Sequence, residues 1–199
     1  MLLTELSTVP TAALPVAEFK DHLRLGTGFS DDGVQDAVLD GCLRAAIAAA
    51  EAKTGKALIS RSFLWSLTAW RDLARQVLPM APVSEITQLS ILDRQNVETV
   101  IDVAKYHLEK DTHRPSLVAS TLVLPTIPVN GSAEIYFTAG YGTAWADVPA
   151  DLARGVFLLA AHYYEHRHET ATDMSQMPFG IASLLERFRD VRLFGGGRL

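Results

Sequence analysis

Apolar residues recur along this chain at two periods, and the switch between them sets out the elements. Val16, Phe19 and Leu23 fall at i, i+3 and i+7 behind Pro15, which places a short helix over residues 15–25. The run GTGFSDDG then breaks the pattern. Ser30, Asp31 and Asp32 offer side-chain oxygens to free backbone amides, so a second helix is read over 34–54 and is closed by Gly55 in a left-handed position. Val34, Val38, Gly41, Ala45 and Ala48 form a seam of mostly small residues along it. Small side chains let two backbones approach closely, which makes this seam the candidate subunit-packing face. A third helix is read over 149–169. Pro149 suits its first turn, Asp151 faces the positive end of its dipole, and Leu152, Val156, Leu159 and Tyr163 make one apolar stripe.

Between the second and third helices the period falls to two. SFLWSLTAW (62–70) alternates with Phe63, Trp65 and Leu67 on one face, and VSEITQLSILD (83–93) follows a proline-marked turn. KYHLE, SLVA, TLVLP and AEIYFTAG continue as short strands, with Pro125 and Pro128 suiting edges and turns. The fold expected is α+β: mainly an α-helical bundle of about three to four helices, with an inserted small antiparallel β unit and a C-terminal arm. The expected organisation is an N-terminal lead (1–14), a core (15–169) carrying a β insertion at about 60–140, and a linker and docking arm (170–199).

Composition narrows the function. With 48% hydrophobic residues the chain can build a packed core, and a net charge of −5 argues against a surface that wraps duplex DNA. One cysteine, Cys42, makes neither an internal disulfide nor a thiolate zinc site. No signal-peptide pattern is read, and no apolar run approaches the ~18 residues of a membrane span. The expectation is a soluble, cytosol-made protein.

Residues 162–166, HYYEH, match H-x-x-E-H, a zinc-protease pattern. His162 and His166 lie about 40° apart on a helical wheel and Glu165 could polarise a water, so a metal-dependent hydrolase is one alternative. Against it, few residues follow His166 to supply a third ligand and a cleft, and the simpler reading is a helix end with half-buried aromatics and histidines. No phosphate-binding glycine loop and no nucleophile elbow occurs. The expectation is therefore no catalytic residue, no metal and no cofactor.

The last stretch has a different composition. From Ile181 on, Arg187, Arg189, Arg192 and Arg198 stand against Glu186 and Asp190, net +2, which leaves −7 for the rest. Arginine mixed with Leu184, Leu185, Phe188, Leu193 and Phe194 is the composition of a docking segment. A terminal helix folded back on its own core fits the same residues. A small nucleic-acid-binding module using Arg187, Arg189 and Arg192 is a further alternative.

Taken in order, TGKALI before a Trp-containing strand, YFTAGYG, and the helix VPADLARGVFLLAAHYYEHRHE carry a likeness stronger than any one of them. The chain resembles the head–tail connector (adaptor) proteins of long-tailed bacteriophages and prophages, including those of gene transfer agents, over roughly residues 15–190. The resemblance implies a structural subunit. It would form a homo-oligomeric ring, usually of twelve, beneath the portal protein, extend a channel through which DNA passes without sequence-specific binding, and receive the next connector, stopper or tail protein. It places the chain at the head–tail junction of the particle, away from any membrane. It also assigns the portal contact to the C-terminal segment, here Leu184, Leu185, Arg187, Phe188, Arg189, Arg192, Leu193 and Phe194. An acidic body would suit the channel, because a negative lining limits sticking of a passing duplex.

Overall fold

The computed structural model describes residues 1–25, 35–167 and 177–189. Four α-helices and eight strands follow one another along them. β1 (Leu2–Glu5) and α1 (Val16–His22) come first, then α2 (Asp36–Thr54). The strands β2 (Arg61–Leu67), β3 (Arg75–Val77), β4 (Val83–Leu92), β5 (Glu98–Val100), β6 (Tyr106–Glu109), β7 (Ser116–Ala119) and β8 (Ser132–Ala139) fill the middle, before α3 (Ala150–Glu165) and α4 (Phe179–Glu186).

The expectation of a mainly helical bundle with a small β insertion is therefore overturned. The strands form two antiparallel sheets, one of five in the order β1-β2-β8-β4-β5 and one of three in the order β3-β7-β6. They enclose an apolar core of their own. Phe63, Trp65 and Leu67 of β2 stand opposite Phe137, Ile135 and Ala133 of β8, and Leu89 and Ile91 of β4 pair with Ile135 and Ala133 on the other side. These inward positions are buried and close on Tyr106 and Leu117 of the second sheet. The physical reason for the misjudged balance is that strands of three or four residues carry too little alternation to be counted, while hydrogen bonds to neighbours make them part of a sheet all the same. β1, β3 and β5 were not read from the sequence, and TLVLP, read as a strand, is none.

The helices make a second core. Leu39, Leu43, Ala46, Ile47 and Ala50 of α2 pack on Leu152, Val156, Leu159 and Ala160 of α3, with Phe19 of α1 and Ile181 and Leu185 of α4 closing the ends. Gly55 ends α2 at φ 68°, in the left-handed region, where its amide reaches back to the Glu51 carbonyl at 2.8 Å. Between the cores, Ile59 bridges to Gly142 and Lys56 to Ala81. Gly140 takes φ 141°, and a Cβ there would lie 2.3 Å from the backbone of Ser60, so the crossing of these two segments requires glycine. Lys56 is fully buried; its ammonium group donates to the Thr112 carbonyl and lies 3.2 Å from His113 Nδ1.

Candidate assembly surfaces

The small-residue seam of α2 faces outward. Leu39, Leu43, Ala46 and Ile47 turn inward, whereas Val38, Gly41, Ala45 and Ala48 are exposed, and a Cβ added at Gly41 would touch nothing within 4 Å. These four residues make no part of the cores formed by the described residues. Val34 lies outside the described residues.

The C-terminal segment divides in two. α4 lies on the helical core, with Ile181 and Leu185 buried and Leu184 half-buried. Leu185 Cδ2 sits so near Gly155 that a Cβ there would be 3.0 Å away, which is why a glycine on α3 admits this helix. Phe188 packs against the same core, while Arg187 donates to the Asp151 carboxylate at the start of α3 and Arg189 Nη1 lies 3.2 Å from Glu186 Oε1. Arg192, Leu193 and Phe194 lie outside the described residues. The described half of the proposed arm thus serves the fold, with Phe179 (89% exposed) and the arginines on its surface.

HYYEH ends α3. Tyr163 packs against the helical core, Glu165 points to solvent, and the rings of His162 and His166 lie 4.3 Å apart. His166 Nδ1 is 2.9 Å from the His162 carbonyl oxygen. Among the described residues no three His, Cys, Asp or Glu side chains come together as metal ligands. His22 of α1 clusters with Phe19 and Phe157, at 6.4 and 5.6 Å between ring centroids. Burial first, and then the Arg154 charge, hold its pKa below the usual histidine value.

Sequence reasoning assigned no role to the N-terminal lead and no partners to Glu51 and Arg61. Structure joins them. Arg61 gives Nη2 and Nη1 to the two oxygens of Glu51 at 2.6 and 2.9 Å, and its Nε lies 2.8 Å from Glu5 Oε1 on β1. Glu51 also accepts the Leu58 amide at 2.8 Å. Burial by itself would lower the Arg61 pKa, but hydrogen bonding to Glu51 and the charges of Glu51 and Glu5 outweigh it and raise the value, so the guanidinium stays charged. One arginine thereby fastens α2, β2 and the N-terminal strand. Further along the lead, Arg44 donates to the Val9 carbonyl and the Thr11 hydroxyl, and Leu14 is buried. The only available signal was two charges flanking the apolar stretch around TGKALIS.

No helix among the described residues is long and apolar enough to cross a membrane. No family model matches the chain, and no curated protein does. Solved structures do match. A chain in the neck of an empty gene transfer agent particle, computed with C6 symmetry, is 54% identical over 98% of this chain and 99% of its own, with a TM-score of 0.89. A chain of the native gene transfer agent virion is 54% identical over the same shares, at a TM-score of 0.87. A chain of the native particle's neck, computed with C12 symmetry, is 50% identical over the same shares, at 0.84.

Proposed function

Because the chain belongs to the family of gene transfer agent neck proteins, we propose that it is the head–tail connector (adaptor) subunit of such a particle. Its role is structural, and its place is the neck of a phage-like particle. The observation that carries this is full-length identity of 50–54% to chains of particle necks. Symmetry of sixfold and twelvefold order in those necks supports a ring, and we take twelve copies as its size. In this reading the ring sits beneath the portal protein, continues the DNA channel without reading sequence, and holds the next connector, stopper or tail protein below.

Two surfaces of the chain suit those contacts. The outward seam Val38, Gly41, Ala45 and Ala48 on α2 suits packing against a neighbouring subunit. The portal grip falls in this reading to the C-terminal segment, Leu184, Leu185, Arg187, Phe188, Arg189, Arg192, Leu193 and Phe194, of which Leu185 and Phe188 also pack on the body and Arg187 pairs with Asp151. The division kept in this proposal is a lead (1–14), a core (15–169) and a linker with docking arm (170–199), with β1 of the lead and α4 of the last segment both joined to the core.

Truncation after Arg189 tests the grip while leaving α4 in place. The shortened chain should melt within a few degrees of the full one and remain soluble, yet tails should no longer join heads. Normally tailed particles from this truncation would overturn the docking assignment. Finding purified necks without this chain would overturn the connector reading as a whole.

A further inference from the structure

Two edge strands, β1 of the five-stranded sheet and β3 of the three-stranded one, flank a cleft of about 530 Å³. The β1 edge is open. Leu6 donates its amide to the Ser62 carbonyl, one step beyond the β1–β2 register, so Thr4 and Leu2 also turn their backbone groups toward β2. Leu3 and Glu5 then turn theirs outward, where no hydrogen bond meets them among the described residues. The β3 edge is plugged by its own side chains: Asp72 Oδ1 accepts the Arg75 amide at 3.3 Å, and Gln76 Nε2 donates to the Val77 carbonyl at 3.1 Å. An uncovered strand edge is a template for pairing with another chain. The cleft beside it has an apolar floor of Leu3, Trp65 and Val77, rimmed by Arg71, Arg75 and Arg114, with Asp72 as the one acid of the lining. The Arg71 guanidinium makes no ion pair or hydrogen bond among the described residues. Nearby charges are engaged: Arg75 pairs with Glu109, Glu5 with Arg61, and Asp111 accepts the amides of His113 and Arg114. The lining itself carries net +2, in a chain of net −5.

We infer that this cleft receives an extended, acid-bearing segment of another neck protein, which adds a strand to the open edge of β1 and turns its carboxylates into the arginine lining. The inference rests on the neck reading above. Side chains alternate along a strand, so the added residue beside Leu3, and those two positions away, face the cleft, while the residues between lie on the outer face with Leu2 and Thr4. Main-chain bonds to Leu3 and Glu5 supply affinity, and the alternate side chains supply specificity. An aliphatic side chain covers Leu3 and Val77, which are 36% and 38% exposed, and a carboxylate meets the forked donors of Arg71. Duplex DNA is the poorer occupant. It brings phosphates, but it has no backbone amides and carbonyls for Leu3 and Glu5 and nothing apolar for the floor. The chain's own β5 is also the poorer occupant, because its register puts Glu98 and Val100 on the outer face and exposed Arg94 and Lys105 lie near it.

The test uses assembled particles in which the photo-crosslinking residue benzoylphenylalanine replaces Val77. After irradiation, mass spectrometry of the digested particles should find this chain joined to a different neck protein, at a segment that alternates Asp or Glu with apolar residues. Arg71→Glu, an exposed change whose melt should match wild type, should lower that product about tenfold or more, because it sets like charges against each other. Hydrogen exchange on the unmodified protein supplies an arm that needs no variant: the Leu3 and Glu5 amides should exchange slowly in necks and fast in the free subunit. Electron microscopy of the same particles reads the presence of this chain in the neck independently. With the chain in the neck, a crosslink to DNA, to a second copy or to a segment without acids would overturn the assignment and leave the neck reading standing. So would the lack of any crosslink, a product indifferent to Arg71→Glu, or Leu3 and Glu5 amides that exchange alike in necks and free subunits. Necks that lack the chain would overturn both.

Discussion

Replacing Glu51 with alanine removes one partner of the buried ion pair between Glu51 and Arg61. The side chains of Arg61 and Glu51 are 6% and 8% exposed, and they meet through two hydrogen bonds of 2.6 and 2.9 Å. An exposed pair of this kind contributes about 0–1 kcal/mol, but removing one partner of a buried pair costs about 3–5 kcal/mol, because the other charge is left without compensation. Glu5 is itself partly exposed and cannot replace Glu51, since it approaches only Nε. The Leu58 amide loses its acceptor as well. For a chain of this size about 2–4 °C of melting temperature is lost per kcal/mol, so Glu51→Ala should lower the midpoint on the order of 10 °C. Thermal melts followed by circular dichroism measure it, with Arg187→Ala as the exposed comparison. The double change Glu51→Leu with Arg61→Met should recover much of the loss, as apolar replacement of a whole buried pair often does. A loss under about 1 kcal/mol for Glu51→Ala would refute the claim that this pair fastens α2 to β2.

Three further outcomes follow from the same packing. Gly140→Ala should destabilise the chain by about 2–4 kcal/mol in urea titrations, from strain at φ 141° together with contact against the Ser60 backbone; an unchanged midpoint would contradict the close crossing. Leu185→Ala should cost about 2–5 kcal/mol, because the side chain is fully buried against α3; a melt unaffected by it would mean that α4 does not rest on the core. His22 gives a pH dependence. Its pKa is lowered in the fold, so the folded chain binds the proton more weakly than the unfolded one. The stability it contributes is complete above about pH 6.5 and is lost as pH falls through the folded value. Wild type should therefore lose more melting temperature than His22→Phe between about pH 7.5 and 5.5, and equal losses would exclude the histidine as the cause.

The sequence by itself determined the parts whose order is local. Spacing of apolar residues located α1, α2 and α3, Gly55 marked a helix end, and the alternation in β2 and β8 was long enough to be read. Each of these elements buries a stripe built from residues a few positions apart, so its pattern is written in one short stretch. The ordered run of TGKALI, YFTAGYG and the α3 helix also carried the connector resemblance, of which the solved structures bear out the coarser part, a chain of the gene transfer agent neck. Tertiary structure decided the rest. β1, β3 and β5 have four, three and three residues and exist only because a neighbouring strand supplies their hydrogen bonds. The assignment of α4 to the core turned on Leu185 meeting a glycine on α3, thirty residues away. The outward direction of the α2 seam followed from which face α3 covered. Glu51, Arg61 and Glu5 are charges that a one-dimensional pattern counts as solvent-facing, and only the crossing of β1, β2 and α2 brings them into one buried group. A pairing between distant segments depends on how the chain closes in space, and local periodicity holds no record of it.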